Sequence, residues 1–77
     1  MNTKELFKFY SEYGSFPRIL VYMEDKEDWR EYYWGVVTNI RISKGDITIT
    51  LRMRETGLFE EFTSNDSGIF EKLKIRD

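Results

Sequence analysis

The acidic run Glu24-Asp25-Lys26-Glu27-Asp28 and the pair Glu60-Glu61 are the densest groups of reactive side chains in this 77-residue chain. Carboxylates can exchange protons with a substrate or hold a hard cation. Glu60 and Glu61 are neighbours on a stretch that reads as a strand, so they point to opposite faces and cannot share a site. The run Glu24, Asp25, Glu27 and Asp28 lacks EF-hand spacing and is interrupted by Lys26, which fits a solvated turn better than a Ca²⁺ loop. Histidine and cysteine are absent. That removes imidazole bases, thiolate nucleophiles and the metal sites built from either. The five glycines are scattered and form no phosphate loop. No catalytic residue, metal site or cofactor is expected, and the chain reads as non-enzymatic.

Binding chemistry is better represented. Tyr33, Arg41, Arg52 and Arg54 fall on alternate positions of two neighbouring apolar/polar stretches, together with Thr48, Thr50 and Asn39. Arginine and tyrosine on one sheet face can stack bases and pair phosphates. The same residue types are enriched in protein interfaces, and they also suit the ordinary wet face of a sheet. Trp29 stands beside the acidic run. Exposed, it would anchor an interface next to carboxylates; covered, it would close one end of the core with its indole N–H on a loop carbonyl.

The elements that must carry these groups are legible from periodicity. Residues 2–13 read as a helix, with Asn2 as cap and Glu5 completing a capping box. Leu6, Phe9, Tyr10 and Tyr13 make a stripe expected to face the core, Gly14 ends the helix and Pro17 blocks its continuation. Residues 16–23 read as a strand that is apolar on both faces. A long strand follows over 29–42, then 47–54, 58–63 and 69–75, with a polar connection at 64–68. Lys44-Gly45 is the two-residue turn of a hairpin closed by Ser43 opposite Asp46. An unbroken ladder from that turn pairs Ile42 with Ile47, Ile40 with Ile49, Thr38 with Leu51 and Val36 with Met53, all inward. On the wet face it pairs Arg41 with Thr48, Asn39 with Thr50, Val37 with Arg52 and Gly35 with Arg54. Gly35 is the expected site of a bulge or bend. Each simple turn length after residue 54 places Glu60 or Glu61 opposite an inward residue.

These elements make one domain, residues 1–77. Its class is α+β, mainly β: an N-terminal helix and a five-stranded, strongly bent antiparallel sheet or small barrel with meander connections. So short a chain without disulfides must be held by packing, and its 17 % aromatic content supplies area. No start region resembles a signal peptide, no run approaches a membrane span, and zero cysteine fits a reducing cytoplasm.

The segments WGVVTNIRISKGDITITLR and FEEFTSNDSGIFEKLKI resemble the YolD-like family of small bacterial and phage proteins. That family has a glycine, an alternating strand, a turn, a second alternating strand and a short polar segment before a closing Ile-rich strand. The resemblance covers the last two-thirds of the chain and implies a small Sm-like barrel, without implying an enzymatic role. The chain lacks the longer N-terminal region of that family.

Three functions follow as expectations. The first is a protein-binding module, by analogy a phage-type inhibitor or regulator of a nucleic-acid enzyme, docking through its sheet face or through the acidic run with Trp29. The second is a nucleic-acid-binding barrel using Tyr33, Arg41, Arg52 and Arg54; the net charge of −2 places it behind the first. The third is self-association through sheet edges. No membrane partner is expected.

Overall fold

A computed structural model describes residues 1–65 and 67–76. Asp66, in the expected polar connection, and Asp77 lie outside the described residues. Helix α1 (Thr3–Tyr13) precedes five strands: β1 (Arg18–Met23), β2 (Asp28–Ser43), β3 (Asp46–Met53), β4 (Phe59–Ser64) and β5 (Leu73–Ile75). They form one antiparallel sheet in the order β4-β3-β2-β1-β5, which is not closed into a barrel.

Asn2 caps α1 as its type dictates: its side-chain oxygen accepts the Lys4 N–H at 2.8 Å. The Gly14 N–H donates to the Tyr10 carbonyl at 2.8 Å and ends the helix. The aromatic stripe departs from expectation. Only Leu6 is fully buried, whereas Tyr10 and Tyr13 are 47 % and 67 % exposed. The rings satisfy one another instead. Tyr10 and Phe7 lie against Phe16, with centroids 4.6 and 6.3 Å apart, and Phe9 lies 4.5 Å from Tyr13. A helix of three turns joins the apolar core through one residue, and its other rings are covered only in part, by one another and by Phe16.

The β2–β3 hairpin begins as the alternation requires. Lys44 and Gly45 both take positive φ, the two-residue turn whose twist matches the strands. Ser43 faces Asp46, Ile42 faces Ile47, Arg41 faces Thr48, Ile40 faces Ile49 and Asn39 faces Thr50. The ladder then shifts: Val37 faces Leu51, Val36 faces Arg52 and Gly35 faces Met53. Thr38 is the extra residue, a bulge, and its hydroxyl donates to the Thr50 carbonyl at 3.2 Å. This corrects the unbroken register. Beyond Thr38 the two sides of β2 exchange, so Tyr33, Gly35 and Val37 join Leu51 and Met53 on the inner side. Tyr32, Trp34 and Val36 turn outward.

Gly35 is therefore not the bulge but a point of close approach. A Cβ there would stand 2.9 Å from the Arg52 carbonyl oxygen and 3.0 Å from the Met53 sulfur.

A second, larger irregularity lies between β1 and β2. Leu20 pairs with Trp34, and Tyr22, two residues on, pairs with Trp29, five residues back. Residues 30–33 thus occupy the length of a single β1 residue, and β2 bends sharply there.

The core is made by Leu6, Ile19, Val21, Ile49, Leu51, Met53, Phe70 and Leu73. It lies on one side of the sheet, the side to which α1 also contributes. Glu61, Phe62 and Thr63 of β4 and Leu73 of β5 line one cavity together with Ile69 and Phe70. The two sheet edges curl toward each other on the core side, and the opposite face is convex. A meander would set β5 beside β4. Instead residues 67–72 lead across and place β5 against β1, because Phe70 and Leu73 bury themselves in the core. This crossing also ties down the start of the chain. The Thr3 N–H donates to Gly68 O at 2.9 Å and the Phe70 N–H to Met1 O at 2.7 Å. Among the described residues no helix is long and apolar enough to cross a membrane.

Candidate functional site

The convex face carries a concentration of charge that the whole-chain balance conceals. Alternation in β1 and β5 puts Ile19, Val21, Leu73 and Ile75 inward, so Arg18, Leu20, Lys74 and Arg76 face outward. Past the Thr38 bulge, Arg52 and Arg54 of β3 and its following turn lie beside Val36 and Trp34. The Arg54 N–H donates to the Trp34 carbonyl at 3.0 Å, which fixes its backbone against β2.

Trp34 is the centre of this face. The Arg18 guanidinium carbon is 4.7 Å from the indole centroid, that of Arg76 5.4 Å and that of Arg54 5.6 Å. Each is within the roughly 6 Å at which an aromatic face attracts a cation. The three arginines come from β1, from the turn after β3 and from the end of β5. Only the sheet order brings them together. With Glu31 and Tyr32 they line an open cup on the surface. Glu31 is its single carboxylate, and among the described residues neither Arg18, Arg52 nor Arg54 forms an ion pair. Like charges gathered round one ring repel one another, and an anion seated among them would relieve that repulsion.

A second cation–ring pair adjoins the first. Lys74 Nζ lies 5.8 Å from the Trp29 ring, whose other neighbour is Tyr22 at 5.5 Å in an edge-on arrangement. Trp29 is half-buried between these two neighbours.

The residues singled out from sequence divide accordingly. Arg52 and Arg54 belong to the convex face as expected. Arg41 shares it but stands four β3 positions nearer the hairpin tip, engaged with Glu61 at 3.7 Å. Tyr33 does not belong: the bulge turns it to the inner side, where its hydroxyl donates to Glu60 Oε2 at 3.4 Å. Burial, then the Glu60 charge and this hydrogen bond, hold the Tyr33 phenol above its ordinary pKa, with smaller contributions from Asp25 and Glu55. Glu60 is the inward carboxylate that the strand spacing required, and Tyr33 is what receives it.

The acidic run is partly engaged. Glu24 pairs with Lys72. Asp28 Oδ1 accepts the Trp29 N–H at 2.7 Å, and its other oxygen lies 3.9 Å from Arg30 Nε. Asp25 and Glu27 are exposed in the turn. Among the described residues no group of three or more carboxylates is arranged to hold a metal ion.

Trp34, Arg18, Lys74 and Arg76 escape the sequence reading. Trp34 is assigned inward by a parity count that the extra residue at Thr38 reverses. The other three lie on strands whose partner, β1 against β5, no local pattern reveals. No family model, curated protein or solved structure matches the chain, so the functional reading rests on the geometry of the site and takes nothing from the YolD-like resemblance.

Proposed function

We propose that this chain is a non-enzymatic binding module whose convex sheet face engages nucleic acid. The observation that supports this reading is the convergence of Arg18, Arg54 and Arg76 on one indole, at 4.7, 5.6 and 5.4 Å. Guanidinium groups pair phosphates in a bidentate fashion, and an indole beside them offers a stacking surface to a base. A net charge of −2 provides no long-range attraction. The affinity therefore comes from the local field of Arg18, Arg52, Arg54, Lys74 and Arg76, which acts within about 8 to 10 Å at moderate salt.

Docking to a protein through the acidic run is the weaker reading. Two of its four carboxylates already bind Lys72, Arg30 and the Trp29 N–H. A mimic of nucleic-acid phosphates would need them free for a basic groove.

The test is titration of labelled single-stranded and duplex oligonucleotides at low salt, repeated as salt is raised. Binding should weaken linearly on a log–log plot. Arg54→Ala should reduce both the affinity and the salt slope, the slope by about one. Absence of binding to either form at low salt overturns the reading. Displacement of the oligonucleotide by an acidic polypeptide of equal charge would reassign the face to an acidic protein partner.

A further inference from the structure

We infer that the convex face is built for a single strand, with Trp29 and Trp34 as two adjacent base-stacking stations and Lys74 and Arg76 as the cations that serve them. This rests on the nucleic-acid reading and narrows it to one class of ligand.

The large irregularity in β2 is what brings the two rings together. Trp29 and Trp34 are five residues apart in sequence, a separation that puts the side chains of a regular strand on opposite faces. The folding-out of residues 30–33 changes this. Trp34 pairs with Leu20 and Trp29 with Tyr22, so the two indoles stand only two β1 residues apart and on the same face. Two residues of strand span about 7 Å, which is comparable with the spacing of successive phosphates along a nucleic-acid strand.

β5 repeats that step. Lys74 and Arg76 are also two residues apart, on the outward side of an edge strand. Lys74 reaches the Trp29 ring at 5.8 Å, and Arg76 reaches the Trp34 ring at 5.4 Å. The Arg76 N–H donates to the Arg18 carbonyl at 2.9 Å, which keeps β5 in register to its end. The result is one indole and one β5 cation, repeated once at the same interval.

Shape decides between strand types. The face is convex, and α1 contributes to the opposite side of the sheet through Leu6. Among the described residues no helix or ribbon projects from the convex face to enter a groove, which duplex readers need. A duplex is itself a convex rod and would touch this face along a line, with its bases stacked out of reach. A flexible single strand can follow the curvature and lay its bases against the open sides of the two half-buried rings.

The experiment compares an oligothymidine of about eight nucleotides, a common site size for such surfaces, with a duplex of the same length at one salt concentration. Trp29→Phe and Trp34→Phe, each retaining a single indole, report quenching at the other station. The expected result is single-strand binding at least tenfold tighter than duplex, with quenching of both indoles. Trp34→Ala should weaken single-strand binding about tenfold or more, and Trp34→Phe should restore most of it, with melting curves showing that both variants fold. Equal affinity for duplex and single strand, or binding that quenches neither indole, overturns the two-station inference and leaves the nucleic-acid reading standing. Failure to bind either ligand at low salt removes both.

Discussion

On the inner face of the sheet Ile19, Ile49 and Leu51 are wholly buried, while on the outer face Val36 and Phe59 remain 42 % and 63 % exposed. Strands of one sheet supply both sets. The inner face takes its ionisable groups only at the margin, where Glu60 meets the Tyr33 hydroxyl. The outer face collects Arg18, Arg52, Arg54, Lys74 and Arg76 although the chain as a whole is acidic. Most other carboxylates lie in the turns, in α1 and in the residues before β5, while Glu31 at the cup and Glu61 beside Arg41 are the acids that share the outer face. Composition describes the sum of these regions. Recognition depends on their separation.

The contrast can be broken most forcefully from the inner side. Leu51→Ala should cost about 2–5 kcal/mol, most of the stability of a domain this small. The matching truncation on the other face, Val36→Ala, should stay within about 0.5 kcal/mol. Thermal or urea unfolding of the two variants measures the difference between the faces directly. Comparable losses would mean that the outer face is packed rather than presented.

A sharper test concerns the residue that assigns the two faces. Deleting Thr38 removes the bulge but leaves Val37 opposite Leu51 and Asn39 opposite Thr50, each on its present side. The variant should fold, losing about 1 kcal/mol with the Thr38 hydroxyl bond to Thr50. In an unbroken ladder the same deletion would drive Tyr32, Trp34 and Val36 through to the wrong side and unfold the protein. Urea unfolding, with tryptophan fluorescence as the reporter, separates the two outcomes.

The smallest effect is expected at Tyr33, where the faces meet at the rim. Its phenol is raised above the ordinary value of 10.0 by burial and by Glu60. The neutral form is thus favoured in the folded state. Its contribution to stability is complete below about pH 10 and is lost as the pH rises through the higher folded value. Alkaline titration of phenolate absorbance should show one tyrosine titrating late, and Tyr33→Phe should abolish that late step. The variant should also remove part of the alkaline loss of stability.

Much of the fold is written locally. The helix cap at Asn2, the stop at Gly14, the Lys44-Gly45 turn and the first pairs of the hairpin follow from residue type and alternation. The Thr38 bulge is less visible because counting parity assumes one residue opposite one residue. Its trace in the sequence is a mismatch: the unbroken ladder sets a threonine hydroxyl opposite Leu51 on the apolar side, and relieving that mismatch requires an extra residue. The place of β5 is not local at all. It follows from the burial of Phe70 and Leu73, which draws the end of the chain past β4 to β1. The candidate site inherits both difficulties. Arg52 and Arg54 are legible on their own strand. Trp34 depends on the bulge, and Arg18, Lys74 and Arg76 depend on the strand order.

The outermost strand, β4, reads Phe59-Glu60-Glu61-Phe62, with one carboxylate directed to each side of the sheet. A foreign strand hydrogen-bonding alongside it would have to desolvate one acid against whichever layer it brought, above or below. Of the two free edges of the sheet, this one is thereby guarded against an added strand from both directions, and the other, β5, is only three residues long.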